Sequence, residues 1–223
     1  MTNRRKTPRP AAALLLLAIF TLALQGCGAA AIEYDENGDV IMPLSVRKIR
    51  DTTLEYAVHG GISLNGKWGE WHKEMIASGR GRRFDGYSEH LDSLKTMLTG
   101  SRARAIDIIY ADDPEAGEYM ISMGVSTKKK LVAFGATADA GEFAVQAMGG
   151  VAAVEPTARY YASDDPCWSA YAPIYDAEGA IVAVLKMVYP AQVVLAYPEW
   201  NRDDRKWNGY TGATPAAISA SAD

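Results

Sequence analysis

One lysine in the second half of the chain is unusual because its neighbours are apolar. Lys186 interrupts the stretch Ala180–Val188, whose other residues are typical of a strand that is covered on both faces. A buried ammonium group needs a partner of opposite charge or a functional role. Lys186 belongs to the segment Cys167–Tyr189, which reads as a strand of alternating residues, a turn at residues 176–179 and a second, apolar strand. This segment is therefore the first candidate for a functional site.

Residue types that commonly carry catalysis are sparse elsewhere. His59, His72 and His90 do not form a metal-binding pair such as His-x-x-x-His. The sequence has no Gly-x-Ser-x-Gly elbow and no phosphate-binding loop. The acidic segment 34–40 places glycine too early for a calcium loop and lacks its final glutamate. We therefore expect a protein that is not an enzyme and that needs no metal or cofactor.

The amino-terminal segment has the features of an export signal. Basic residues precede the apolar run Ala11–Leu24, which is too short to span a bilayer comfortably. Residues 24–27 (LQGC) follow and resemble the lipobox of bacterial lipoproteins, in which the cysteine becomes the acylated first residue. We expect cleavage after residue 26 and lipid on Cys27, with Gly28 favouring the outer over the inner membrane. The alternative is an ordinary signal peptide with an incidental cysteine.

The charge and cysteine content argue against binding to nucleic acid, against docking on anionic lipid and against an internal disulfide. The leader holds four of the 23 basic residues and no acid, so residues 27–223 carry 19 basic and 27 acidic residues and a formal charge of −8. An acidic domain is a poor partner for nucleic acid or for anionic lipid headgroups. If Cys27 carries lipid, Cys167 has no partner for an internal disulfide, and we expect it to be a small buried group.

Periodicity predicts helices first and strands afterwards. Gly60-Gly61 should end the first helix, Asp85 or Ser88 should cap the third, and Gly100 should end it. The predicted helices are 43–59, 67–77, one with the apolar stripe Tyr87, Leu91, Leu94 and Leu98, and a short one at Gly141–Met148. The predicted strands are 105–111, 118–125, 131–134, 167–174 and 180–188. This order predicts an α+β fold with a sheet of about five strands.

Residues 168–176 (WSAYAPIYD), Gly179 and residues 181–185 (IVAVL) resemble the last hairpin of Cache domains. These are the PAS-like extracytoplasmic sensor domains of bacterial chemoreceptors, histidine kinases and diguanylate cyclases. The resemblance covers roughly Pro43–Tyr197. It implies a central antiparallel sheet packed on a long N-terminal helix, with a small ligand between the other face of the sheet and a lid between strands 3 and 4. The predicted division is a leader (1–26), a tether (27–42), a sensor domain (43–197) and a disordered tail (198–223).

The resemblance also implies where a ligand would bind. In Cache domains that bind amines or amino acids, an aspartate of the last strand takes the ammonium group, and that position is Val188 here. A glycine position of the family is occupied by Lys186. The loss of the acid at Val188 and the gain of a cation at Lys186 together favour a small anion such as a carboxylate. The predicted ligand-binding residues are Tyr110, Arg159, Tyr161, Trp168 and Lys186.

These features predict a lipid-anchored sensor that binds a small molecule and acts in trans on a membrane signalling protein, because no second apolar span follows the leader. Two alternatives for Lys186 are a position at the sheet edge, with its ammonium in solvent, or a pair with Asp107. For the whole protein, one alternative is a structural or interaction lipoprotein of the envelope with a Cache-like fold and no ligand. Another is an accessory lipoprotein that docks through the helix containing Trp68 and Trp71.

Overall fold

The computed structural model of the chain describes residues 35–37, 41–113, 118–127, 134–138, 141–160 and 165–202. The chain divides into two compact units, Met1–Met42 and Pro43–Asp223. In the first unit, the described residues 35–37 form a turn, in which the amide of Asn37 donates to Asp35 Oδ1 at 2.8 Å. The predicted leader and Cys27 lie outside the described residues. None of the helices within the ranges above is long and apolar enough to cross a bilayer.

Three helices form the first half of the second unit: α1 (Leu44–Ser63), α2 (Lys67–Ala77) and α3 (Tyr87–Ser101). The prediction for α2 is confirmed to the residue. Helix α3 contains the predicted apolar stripe but passes through Gly100 and ends at Ser101, and the next residue, Arg102, has a left-handed φ of 60°. Its N-terminus follows Gly86 with φ 83° and has no side-chain cap, so the caps predicted at Asp85 or Ser88 are wrong.

Helix α1 does not end at Gly60-Gly61, and the packing of the helix on the sheet explains why. A Cβ on Gly60 would lie 2.5 Å from Leu185 Cδ2, and a Cβ on Gly61 would lie 2.8 Å from the carbonyl oxygen of Pro173. Both glycines are buried inside the helix. They allow the helix backbone to approach two strands closely, a second use of glycine besides helix termination. The predicted end of α1 is therefore wrong.

The second half of the unit forms one sheet. Its strands are β1 (Ala105–Asp113), β2 (Glu118–Ser126), β3 (Ala136–Thr137), β4 (Ala153–Val154), β5 (Ala158–Tyr160), β6 (Pro166–Tyr175), β7 (Ile181–Pro190) and β8 (Asn201–Arg202). The order is β3-β2-β1-β7-β6-β5-β8, and β4 also pairs with β6. All pairs are antiparallel except β5 with β8. The α+β class and the antiparallel sheet are confirmed, but the described residues form eight strands, four of them long.

The two faces of the sheet are covered by different elements. On one face, buried residues of β1, β6 and β7 pack against the three helices around Ala57, Met75 and Leu94. This confirms that a long N-terminal helix packs on the sheet. On the other face lies helix α4 (Gly141–Met148), which has the predicted bounds. Its Ala144 and Ala147 pack against a smaller cluster that includes Tyr171 and Val184.

The lid segment, defined here as residues 135–160, is more structured than predicted. It carries α4 between the short strands β3 and β4, and it returns to the sheet through β5. The predicted strand 131–134 falls mostly on residues outside the described ranges, and Phe134 lies in a turn. Because β4 and β5 both pair with β6, the lid segment is hydrogen-bonded to β6. Strand β6 is also the neighbour of β7, which carries Lys186.

The chain remains ordered beyond the predicted end of the domain. After a 3-10 helix at Gln192–Ala196, residues Pro198–Trp200 form another turn of 3-10 helix, and Asn201 pairs in parallel with Ala158 through β8. Residues 198–202, predicted as the start of a disordered tail, therefore belong to the folded unit. The rest of the predicted tail, residues 203–223, lies outside the described residues.

The aromatic residues of α2 belong to the core. Trp68 is 8% exposed and stacks on His72 with ring centroids 5.3 Å apart. The indole nitrogen of Trp71 donates to the carbonyl of Asp85 at 2.8 Å, and its ring packs against the core. This helix face holds α2 against the rest of the fold, which contradicts the alternative in which it is an exposed docking surface.

Candidate ligand cavity

A cavity of about 240 Å³ lies between the sheet and the lid segment, on the face opposite the three helices. Four charged side chains line it: Asp107 from β1, Lys186 from β7, and Glu155 and Arg159 from the lid segment. The remaining lining residues are small, polar or aliphatic: Ile109, Ile121, Thr137, Ala138 and Ser169. A concave site with a few convergent polar groups is the usual form of a small-molecule site.

Lys186 lies at the centre of the sheet rather than at its edge. Strand β7 is bordered by β1 and β6, so the alternative in which Lys186 reaches solvent from an edge strand is wrong. Its two cross-strand neighbours are Asp107 on β1 and Tyr171 on β6. The residue is 8% exposed, and its Nζ lies 5.6 Å from the centroid of the Tyr171 ring, within the range of a cation–π contact. An ammonium group is thus held in the cavity wall, opposite a buried carboxylate.

Glu155 and Arg159 form the second charged pair of the cavity. Arg159 Nε donates to Glu155 Oε2 at 2.8 Å, and the hydroxyl of Tyr171 donates to Glu155 Oε1 at 2.9 Å. The Glu155 side chain is 4% exposed and that of Arg159 is 31% exposed. Hydrogen bonds of this charge-assisted kind compensate a carboxylate for its removal from water. The cavity wall therefore holds two cations and two anions, with the cation of Arg159 nearer to solvent.

The structure separates the predicted site residues into two groups. Lys186 and Arg159 line the cavity, but Trp168 and Tyr110 do not. Trp168 is fully buried, and its indole donates to the backbone oxygen of Glu155. Tyr110 lies beside His72 of α2, with ring centroids 6.3 Å apart. Tyr161 lies outside the described residues.

Strand register explains why Trp168 and Tyr110 were misplaced. The prediction put even-numbered residues of β6 and β7 on one face, but Trp168 pairs with Tyr189, whereas Lys186 pairs with Tyr171. In an antiparallel pair, opposite residues share a face, so the parity of the cavity face changes between the two strands. On β1, Lys186 faces Asp107, and Tyr110, three residues further on, points to the other side. The prediction that these two aromatic residues share a face with Lys186 is wrong.

The acids of the cavity were not predicted as site residues. Asp107 is 1% exposed in the apolar segment AIDIIYA, the same signal that singled out Lys186. Each of the two charges is alone in an apolar strand, and the alternative in which Lys186 pairs with Asp107 already treated the strands as neighbours, which β1 and β7 are. Glu155 carries no comparable signal, because residues 135–161 show no strand or helix period beyond α4. Only the fold brings it to the cavity.

The helix face of the sheet holds a second buried polar contact. His72 is fully buried, and its Nε2 lies 2.8 Å from Ser122 Oγ on β2. Burial lowers the pKa of His72 from 6.5 to about 4, because the charged imidazolium loses its hydration. The hydroxyl of Tyr87 on α3 donates to the backbone oxygen of the same Ser122 at 3.1 Å. These contacts join two helices to β2, whose Ile121 lines the cavity on the opposite face.

A more open groove of about 320 Å³ lies between α2 and the β6–β7 turn. Its charged residues, Lys73 and Asp176, pair with each other: Lys73 Nζ donates to Asp176 Oδ2 at 2.9 Å. This hydrogen bond raises the pKa of Lys73 and lowers that of Asp176, whose carboxylate also accepts the amides of Glu178 and Ala180. The pair fastens the turn to α2. Among the described residues, no group of three or more His, Cys, Asp or Glu side chains could hold a metal ion.

Comparison with known proteins gives structural likenesses of low identity. No family model matches the chain, and no curated protein matches it. The periplasmic sensory domain of the Campylobacter jejuni chemoreceptor Tlp1 is 17% identical, with a TM-score of 0.37, over 74% of this chain. The sensory domain of the Campylobacter jejuni chemoreceptor Tlp3 is 14% identical, with a TM-score of 0.33, over 66% of this chain.

A third solved structure, the ligand-binding domain of Tlp3 in complex with L-valine, is 14% identical, with a TM-score of 0.28, over 67% of this chain. This chain covers 66%, 60% and 64% of these three solved chains, respectively.

Proposed function

We propose that residues 43–202 form an extracytoplasmic sensor domain that binds a small carboxylate-bearing molecule in the cavity between sheet and lid segment. The observation that carries this proposal is the Lys186 ammonium, which is 8% exposed on an interior strand and lines a cavity together with Arg159. Ammonium and guanidinium groups in a shielded site bind carboxylates strongly. Asp107 and Glu155 in the same wall disfavour a bare anion and favour a ligand that also donates hydrogen bonds.

The resemblance of residues 168–185 to Cache domains supports the same proposal, because the cavity lies where that resemblance places a ligand. The domain would act in trans on a membrane signalling protein such as a receptor or a kinase. Two short strands of the lid segment pair with β6, which itself pairs with β7 of Lys186. A ligand bound in the cavity would therefore contact both the sheet and the lid segment and could shift one relative to the other.

Replacement of Lys186 by methionine is expected to abolish the response to carboxylates. Thermal unfolding is followed at constant ionic strength with acetate, propionate, lactate, alanine and methylamine as separate probes. We expect at least one carboxylate, but not methylamine, to raise the Tm of the wild-type protein by several degrees at about 100 times its Kd, which corresponds to about 2.7 kcal/mol of stabilisation. The K186M variant should show no such rise, because the cavity then lacks its most buried cation.

The controls separate loss of binding from loss of folding. Lys186→Met leaves Asp107 buried without the facing cation, which destabilises a fold on its own. The double variant D107N/K186M removes both charges and should fold well but respond to no carboxylate. Lys95→Met removes an exposed lysine of α3 and should respond like the wild type. A carboxylate response that persists in the two cavity variants would refute the proposal, and so would a wild-type protein that responds to none of the probes.

We further propose that Cys27 carries the lipid that holds the domain at the periplasmic face of the cell envelope, at the outer membrane more than at the inner. Support comes from the order of basic residues, short apolar run and LQGC at residues 24–27. Cys27→Ser is expected to abolish incorporation of radiolabelled palmitate and to move the protein from the membrane to the soluble fraction. Cys167→Ser is the matched control and should keep its label. Equal labelling of wild type and C27S would contradict the anchor.

The runner-up is an envelope lipoprotein with a Cache-like fold and no ligand. One observation favours it: the buried carboxylate of Glu155 already has two donors, Arg159 and Tyr171, within the protein. In that case the four charges would serve only to orient the lid segment. The probe series above distinguishes the two functions, because a purely structural cavity would not link carboxylate concentration to Tm.

A further inference from the structure

The carboxylate of Glu155 is shared between two elements of the cavity wall. Its Oε2 accepts from Arg159 Nε on β5 at 2.8 Å, and its Oε1 accepts from the Tyr171 hydroxyl on β6 at 2.9 Å. The side chain is 4% exposed. An internal carboxylate thus lies against one of the two cations that a ligand carboxylate would use.

The backbone of Glu155 is held independently of its side chain. Its amide donates to the carbonyl of Ser169 at 3.0 Å, and its own carbonyl accepts the indole of Trp168. Both partners belong to β6, so the residue is fixed to the sheet whatever its carboxylate contacts. The side chain can therefore change partners by rotation about its own bonds, without a rearrangement of the strands.

A ligand carboxylate placed between Lys186 and Arg159 would meet Glu155 at the same guanidinium. Two carboxylates that bind the same guanidinium repel each other, and within a shielded site this repulsion is only weakly screened. The ligand must then either displace Glu155 from Arg159 Nε or bind beside it at the other N–H donors of the guanidinium, against the repulsion of the Glu155 carboxylate. In both cases the Glu155 carboxylate reduces the electrostatic attraction between the ligand carboxylate and the two cations.

We propose that Glu155 is a specificity-determining residue of the cavity, an internal competitor that weakens the binding of simple carboxylates. This inference rests on the proposed function. The chain's own carboxylate occupies Arg159 in the free protein, so the domain responds only to ligands that are abundant or that offer further contacts. The hydrogen-bonded pair Glu155–Arg159 would thus set the ligand concentration at which the sensor responds.

The test compares the affinity of wild type and Glu155→Gln for acetate, lactate and alanine by isothermal titration calorimetry at constant ionic strength. The glutamine keeps the size of the side chain and an acceptor for Tyr171 but removes the competing charge. We expect E155Q to bind acetate on the order of tenfold more tightly than the wild type. Asp92→Asn is the matched control: it also removes one acid that pairs with a cation, but on the exposed surface of α3, and should leave the affinity unchanged.

A second variant tests contact against charge. Glu155→Asp retains the negative charge but withdraws the carboxylate from Arg159, so its affinity for acetate should lie between those of wild type and E155Q. Equal acetate affinities in wild type, E155D and E155Q would overturn the inference, as would weaker binding by E155Q. If the wild-type response depends on Lys186 but not on Glu155, only this inference fails. If neither wild type nor E155Q binds any of the three probes, the proposed function fails with it.

Discussion

Acidification from pH 7 to pH 4 is expected to lower the free energy of unfolding of the wild-type protein by about 3 kcal/mol more than that of a His72→Phe variant. The pKa of His72 falls from 6.5 to about 4 in the folded protein, because the ring is buried. Between these values the unfolded chain binds a proton that the folded protein does not bind. The stability that the neutral His72 contributes is therefore fully present above pH 6.5, and it is lost progressively as the pH falls towards 4.

The effect is measured by guanidinium chloride unfolding at pH 7, 6, 5 and 4 for both proteins. Phenylalanine fills a similar volume and can keep the stacking on Trp68, and Ser122 Oγ retains its bond to the carbonyl of Ile108 at 3.3 Å. All other titrating groups contribute to both proteins, so the difference between their pH profiles isolates His72. Parallel profiles over this range would show that the histidine takes up its proton in the fold without cost and would contradict the expectation.

Replacement of Gly69 by alanine is expected to destabilise the protein by about 2 to 3 kcal/mol. Helix α2 crosses the end of β6 at this residue. A Cβ there would lie 2.2 Å from the carbonyl oxygen of Tyr175 and 3.1 Å from Cα of Asp176. Both atoms belong to the backbone, and the Tyr175 oxygen also accepts the amide of Gly66 at 2.9 Å. Relief of the clash must therefore move a strand end or the helix, rather than rotate a side chain.

Helix propensity alone predicts the opposite sign, since alanine exceeds glycine by about 1 kcal/mol in a helix interior. Gly100→Ala in α3 is the matched control, because a Cβ on Gly100 would meet nothing within 4 Å. That variant should gain about 0.5 to 1 kcal/mol, measured as the midpoint of urea unfolding. A stabilised G69A would show that α2 can move away from β6, contrary to the packing described above.

Several elements follow from the sequence because their determinants are local. Helix α2 and helix α4 have the bounds that periodicity and flanking residues predict. The hairpin β6–β7 and its turn at residues 176–179 follow from alternation, turn residues and a run of apolar side chains. In each case the deciding interactions involve residues close together in the chain.

Glycine shows where this local reasoning fails. Gly60 and Gly61 have the composition of a helix end, but α1 continues through both. They are glycine because Leu185 and the backbone of Pro173 come within contact distance of the helix. The strands concerned are more than a hundred residues away in the chain, so this cause lies outside any sequence window.

The residues of the candidate site can likewise be separated into one that the sequence identifies and others that only the tertiary structure brings together. The sequence alone determined that Lys186 is anomalous, because a charge within a strand of apolar residues is visible without a structure. Which side chains accompany it was decided by tertiary structure. Antiparallel register places Asp107 and Tyr171 beside Lys186 and turns Trp168 to the other face. Glu155 and Arg159 reach the cavity because β4 and β5 pair with β6. A face shared between strands depends on the residues that pair, and pairing is a property of the folded chain.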